Sequence, residues 1–421
     1  MSTPAELYRN AIDLNRFSNS VAKRIVITYN DLILDAVDQL RRLDELDVSA
    51  KAVRLQAILA QLKESLDGWA GTSTFAAAQE LQGIAELQGE FVANELRKAL
   101  PIDLREQVRS VQISPQFAQA VAVTDPTALS VVALSDDLQA AVAGARQTFQ
   151  LTATQGTMIT LPNGKVLAKS FRGLAESQAD LFAKTVRNGL LTGESTDKLA
   201  RRLKGRLKFG DTGPLSRGQV RAAGLSVKQL VQAGGELTSV ANRQVMALVR
   251  TSINQVANAS SQQVYEANQD VTKRYRYVAT LDSRTSPICR ALDGKEFDYG
   301  KGPTPPQHFN CRSTTVPVID YKGLGIEPPP PSDLRRPNTA FGPSRSTRSD
   351  TVPSNQTYGE WLEKQPKAVK VDVLGASKVS FFESRVKKVG PTQAIRDFVS
   401  QDGSELTLDQ LKLKYSNGKA S

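Results

Sequence analysis

Apolar side chains recur at alternating spacings of three and four from Ile25 to Leu43, through Tyr29, Leu32, Ala36 and Leu40. A single buried stripe along a helix requires that spacing, so helix is predicted over residues 5–47. Leu55, Ile58, Leu59, Leu62 and Leu66 predict a second helix. A third is expected over 74–99, with Phe75, Ala78, Leu81, Ile84, Phe91 and Leu96 inward and Pro101 marking its end. Residues 112–150 are rich in Ala and Val, with a turn expected at Asp125–Pro126 and a helix near 134–149. Residues 1–150 therefore read as an elongated helical N-terminal region, either a bundle or a surface that packs on partners.

The period then changes. Asn163–Gly164 between short apolar stretches predicts a hairpin of two strands within 157–170. Helix resumes at 172–190 and breaks at Gly193, Glu194 and Ser195. Ser195 is placed to cap the next helix, with Asp197 favourable in its first turn. Residues 214–234 read as a helical pair broken by Gly224. A long helix is expected over 236–268, with Val249, Ile253, Val256 and Val264 on one face. Tyr275, Tyr277, Ala279 and Leu281 alternate with Arg276, Val278 and Thr280, which predicts a strand, and Val316, Val318 and Ile319 supply a returning one.

Residues 321–357 hold seven prolines, four of them consecutive from Pro328 to Pro331, and cannot bury a core. They predict an extended linker. Beyond it Trp361, Leu362, Val371, Val373, Leu374, Phe381 and Phe382 offer a small core, and Thr407 caps a last helix carrying Leu408, Leu411 and Leu413. So short a tail is near the lower size limit for independent folding, so it is expected to dock on another surface. The fold class is mainly α with a small β component (α+β). Its parts are the helical region 1–150, a mixed α/β module over 151–320, the Pro-rich linker 321–357 and a docking segment 358–421.

Composition narrows the function. A length of 421 residues implies two or three domains. No apolar run approaches the roughly 18 residues that span a membrane, and the first 30 residues carry no secretory pattern. Two cysteines exclude a disulfide-stapled scaffold, and one histidine excludes any mechanism that needs two. The net charge is +11, and residues 201–250 contribute most of it with ten basic and two acidic side chains. Arg201, Arg202, Lys204, Arg206 and Lys208 open that window. They suit salt-dependent, sequence-blind contact with nucleic-acid phosphates, or equally a solvated basic helix end.

Chemistry concentrates at 277–319, where both cysteines and the histidine fall together as Cys289, His308 and Cys311. Thiolate and imidazole suit zinc, for which Asp282, Asp293 or water would be the fourth ligand. A Cys289–Cys311 disulfide and two reduced, buried thiols are the other readings. A Cys–His nucleophile pair lacks any visible orienting group or oxyanion-hole motif. Asp282 suits a turn after the strand, and Asp293–Gly294 a tight turn. Arg284 and Arg312 are placed to pair with the two carboxylates and pin the loop.

The series T-L-D-S-R-T-x-P-x-C, L-D-G-K-x-F and P-x-x-H-x-N-C-R-S resembles the phage Mu protein F-like head morphogenesis family. It brings in Asp282, Arg284, Cys289, Asp293, Gly294, His308, Asn310, Cys311 and Arg312 as motif residues. That family's pattern has a C-x-x-C pair and an H-P-N-C-R-C element. Here Ser286 stands at the first cysteine, Phe309 at the proline and Ser313 at the last cysteine, leaving three soft residues of five. Residues 186–203, 249–268 and the tail from Thr357 are similar to other segments of such proteins, so the likeness covers roughly 170–415.

The resemblance implies a non-enzymatic minor head protein of a tailed phage. It would sit at the portal or the inner capsid, within the virion and in the host cytoplasm during assembly. Its implied partners are the portal protein, a major capsid or scaffolding protein, and packaged double-stranded DNA, with no cofactor other than a candidate zinc. The alternative is a metal-dependent nuclease or a Cys/His hydrolase of head maturation or genome entry.

Overall fold

The structure is a computed structural model. It describes residues 3–110, 162, 165, 167–192, 194–195, 198–199, 203, 236–327, 334–335, 352–353, 355–401 and 403–416. The basic residues Arg201, Arg202, Lys204, Arg206 and Lys208, the turn at Asp125–Pro126, the helix near 134–149, the 214–234 pair and Asn163–Gly164 lie outside the described residues.

Helix α1 runs Thr3–Arg41 and a 3-10 turn, Arg42–Glu45, carries the chain into α2, Val48–Ala99. Asp47 caps α2 by accepting from the Ala50 amide at 2.9 Å. The second and third predicted helices are thus one helix of 52 residues. Gly68 and Gly71 sit inside it, each costing about 1 kcal/mol relative to alanine. Tertiary packing offsets that cost: Trp69 is buried between Tyr29 of α1 and Phe171, at ring distances of 5.3 and 5.8 Å. Thr72 and Thr74 return their hydroxyls to backbone carbonyls of the preceding turn. Continuity also turns Phe75 outward, to 51% exposed, where the shorter helix had it inward.

A single turn, α3 (Ile102–Arg105), follows, and the next helix among the described residues is α4, Leu167–Leu191. Residues 167–170 are therefore helix rather than the second strand of the expected hairpin. The Ser195 hydroxyl accepts from the Lys198 amide at 3.3 Å, as the capping pattern predicted. Helix α5 spans Glu236–Ala267, with Val249, Ile253, Val256 and Val264 all buried. Helices α1, α2, α4 and α5 share one core, so the chain on both sides of residue 150 contributes to it. Within that core the Tyr29 hydroxyl reaches Gln178 at 3.0 Å, and Gln88 reaches Ser261 at 3.0 Å.

Strand β1 (Thr272–Val278) is the centre of a three-stranded antiparallel sheet, flanked by β2 (Glu296–Asp298) and β3 (Thr314–Ile319). Tyr275 faces Pro317 on one side and Phe297 on the other. The returning strand was expected and β2 was not. Helix α6, Pro287–Leu292, lies between β1 and β2. Part of the Pro-rich stretch pairs as a short antiparallel ladder, β4 (Leu334–Arg335) with β5 (Val352–Pro353).

The C-terminal segment holds α7 (Tyr358–Glu363), α8 (Lys367–Leu374), α9 (Ala376–Val389), α10 (Pro391–Arg396) and α11 (Leu408–Ser416). Thr357 and Glu360 form a capping box at α7. Thr407 and Gln410 exchange the same pair of bonds at α11. Gly359 lets α7 meet α10 closely: a Cβ there would lie 2.2 Å from the Pro391 carbonyl oxygen. Trp361, Leu362, Val373, Leu374 and Phe382 are buried with Phe398 and Leu411, and Leu281 of the motif loop joins them. The tail therefore docks on the motif module of its own chain.

Candidate functional site: the motif loop and its clamp

The segment from Ala279 to Ser313 connects β1 to β3 and carries α6 and β2 on the way. Its two aspartates are anchors. Asp293, 1% exposed, accepts from the Ala279 amide through Oδ1 and from the Tyr358 amide through Oδ2, each at 2.6 Å. Gly294 follows at φ 76°, a left-handed conformation in which a Cβ would also press on Thr357. Asp282 takes both Nη groups of Arg312, one of them at 2.8 Å, and its Oδ1 also accepts from the Arg284 amide at 3.0 Å and the Thr285 hydroxyl at 3.1 Å. The Tyr358 hydroxyl donates to the Asp282 carbonyl at 2.7 Å. Arg312 does pair with a carboxylate, as expected. Arg284 binds Asp282 through its backbone amide, while its side chain is exposed.

Cys289, His308 and Cys311 do come together. Their ligand atoms lie within 4.8 Å of one another, and no other such group of His, Cys, Asp or Glu occurs among the described residues. Ser286 caps α6 and sets its hydroxyl 2.7 Å from His308 Nε2. Cys289 Sγ is 3.3 Å from that nitrogen, 3.2 Å from the Tyr277 hydroxyl and 3.7 Å from Cys311 Sγ. Both thiols are free and buried, so the disulfide is not formed. His308 Nδ1 lies 2.8 Å from the Phe309 carbonyl, which assigns a proton to that nitrogen.

The two sulfurs share one ionisation. Burial pushes the Cys311 thiol up, but hydrogen bonds from Cys289 and His308 hold it well below the usual thiol range. Cys289 is pushed well up, by its bond to Cys311 and then by burial. Burial opposes the His308 charge, yet bonding to Cys311 raises it.

As a zinc set this is three ligands rather than four. Neither aspartate supplies the fourth: Asp282 is held by Arg312, and Asp293 by two backbone amides. Water would complete the shell. The notch above the group, lined by Arg284, Ser286, His308, Asn310 and Arg312 among others, has a volume of about 10 Å³. Pockets that enclose small ligands run to roughly 300–1,000 Å³.

Sequence reasoning missed several residues that build the site. Arg290 is buried and donates to the Thr285 carbonyl at 2.6 Å and the Val373 carbonyl at 3.0 Å, tying loop to tail. Tyr358 completes the clamp. Asn254, Asn258 and Gln262 of α5 cover the outer edge of β3: Asn254 donates to the Ser313 carbonyl at 2.9 Å, Asn258 accepts from the Thr315 amide at 3.2 Å, and Gln262 donates to the Thr315 hydroxyl at 2.8 Å. Their spacing of four was a legible signal, a polar stripe on an otherwise apolar helix. It satisfies backbone groups that an edge strand otherwise exposes.

Residues 180–316 match the family model described as Phage Mu protein F like protein. The match runs from within α4 to within β3 and takes in the whole loop, while the C-terminal clamp lies outside it. No curated protein and no solved structure matches the chain.

Proposed function

We propose, from the match of residues 180–316 to the phage Mu protein F-like family model, that this chain is a minor head protein that acts by binding. Its station is the portal vertex or the inner face of the capsid. Its partners are the portal protein, a major capsid or scaffolding protein and packaged DNA, and Arg201, Arg202, Lys204, Arg206 and Lys208 supply phosphate contacts.

One observation carries the non-catalytic part: the polar groups of the motif are spent on structure. Asp293 spans loop and tail, Asp282 is engaged by Arg312, and Tyr358 closes over both. A nuclease needs carboxylates converging on a metal, and these two point into separate hydrogen-bond sets. A Cys/His hydrolase needs an accessible sulfur, and Cys311 is only 2% exposed.

The test is the composition of the particle. The reading expects the chain at a few copies per head, in mature heads and in DNA-free proheads alike. Absence from both particles would contradict it.

A further inference from the structure

Helix α2 keeps one side uncovered over much of its length. Val53, Ala57, Ala60, Gly68, Gly71 and Phe75 are all exposed. At about 100° per residue they fall within an arc of roughly 80°, with Glu64 the one charged residue among them. They form a single apolar face. Phe75 projects from it, 51% exposed. One turn earlier the surface is hollow. Nothing lies within 4 Å of where a Cβ on Gly68 or Gly71 would stand, so no neighbour among the described residues calls for glycine there. Alanine at either position would favour the helix. The face therefore carries a knob beside a notch, and neither has an occupant within the described part of the chain.

The face is complementary to itself. Consider a second α2 laid antiparallel on the first, with the two-fold axis at Thr72. Phe75 stands three residues beyond the axis. Three residues before it lies position 69, flanked by Gly68 and Gly71, so each phenyl ring enters the other helix's notch. The charges obey the same axis. Arg54 stands 18 residues before Thr72 and Glu90 stands 18 residues after it. The 36 residues between them make about ten full turns, so both project from the same flank of the face. Arg54 of each copy then meets Glu90 of the other. Both are exposed, and neither has an ion-pair partner among the described residues. A parallel pair would set Arg54 against Arg54 and Phe75 against Phe75. Exposed ion pairs add little affinity, but like charges face to face penalise the wrong arrangement, so this pattern selects direction and register.

We propose that the outer face of α2 is a self-association surface, and that its occupant is α2 of a second copy of this chain, packed antiparallel about Thr72. Glycines at the crossing let the two backbones approach closely. The surface lies apart from the motif loop and its clamp, and the inference stands without the reading of the chain as a head protein. It has a consequence for layout. The sheet packs on α2 at Val92, Ala93 and Leu96, far to one side of the axis. Antiparallel pairing sets the two sheet modules at opposite ends of the dimer, about 70 Å apart along the helices. Such a dimer engages two separated sites on a symmetric partner at once, which raises its avidity.

The test is sedimentation velocity of the full chain over a range of concentrations. The natural chain should form a dimer. Arg54→Glu and Glu90→Arg each place like charges at both crossings, and each should dimerise at least about tenfold more weakly. Mixed in equal amounts, the two variants should form a heterodimer as tight as the natural dimer, because every crossing is again opposite in sign. The Gly68→Leu, Gly71→Leu double variant fills the notch and should abolish the dimer. Leucine is the better helix former and both positions are exposed, so the fold is kept. A natural chain that is monomeric at every concentration overturns the proposal. So does a dimer that all of these variants leave unchanged, since it would use another face. A mixture that fails to pair overturns the antiparallel register. A monomeric natural chain whose portal binding is lost in the glycine double variant would give the face to the portal protein and also overturn the proposal.

Discussion

Asp293 accepts the backbone amide of Tyr358 at 2.6 Å, across 65 residues of chain. A motif carboxylate thereby fastens the first turn of α7, whose capping box faces it. Replacing Asp293 by Asn would turn an amide NH2 toward one of two N–H donors. Charge-assisted bonds are each worth roughly 1.5–3 kcal/mol, so Asp293→Asn should lose about 2–4 kcal/mol. Hydrogen exchange at the α7 amides reads it: their protection should fall well before that of α5.

Asp282 and Arg312 are 10% and 15% exposed and meet through two hydrogen bonds. Removing one member of a buried pair leaves an uncompensated charge, at a cost of about 3–5 kcal/mol. Arg312→Ala should lower the unfolding free energy extrapolated from urea titration by that amount. Arg312→Lys should recover only part, because a single ammonium cannot serve both oxygens.

Glu266, half-buried near Tyr275 and Tyr299, has its pKa raised by burial to about 7. The folded chain then holds a proton there that the unfolded chain has released. Stability from this group is complete below the unfolded value of 4.5 and declines as pH rises to about 7. Urea unfolding between those limits should show the decline. Glu266→Gln should flatten it and leave the acid end unchanged.

Ser286 stands where the phage Mu protein F-like pattern has its first cysteine, and its hydroxyl already touches His308 Nε2 at 2.7 Å. The Ser286→Cys, Ser313→Cys double variant should therefore bind zinc at least tenfold more tightly than the natural chain, measured by chelator competition. In the natural chain both thiols should react slowly with a disulfide reagent when folded and rapidly in denaturant.

Much of this architecture is written locally. The period-two run from Tyr275 announces β1, which spans Thr272–Val278 and stops before Ala279–Leu281, and its returning partner at Val316 follows from composition. Ser195 and Thr407 announce their helices as caps. The 52-residue span of α2 is not legible, because the apolar pattern lapses between Leu66 and residue 74, where Gly68 and Gly71 disfavour helix and packing of Trp69 between Tyr29 and Phe171 helps to offset them. The site divides the same way. Cys289, His308 and Cys311 are visibly neighbours in sequence, and they meet. Arg290 and Tyr358 carry no local signal, since each acquires its role from a segment tens of residues away.

The central claim is a head protein that binds. The measurement that tests it most directly is a pull-down of the purified full chain against the portal protein encoded beside it, with labelled DNA and Mg²⁺ in the same tube. The account predicts a stoichiometric complex and intact DNA. No complex, together with cleaved DNA, would contradict it.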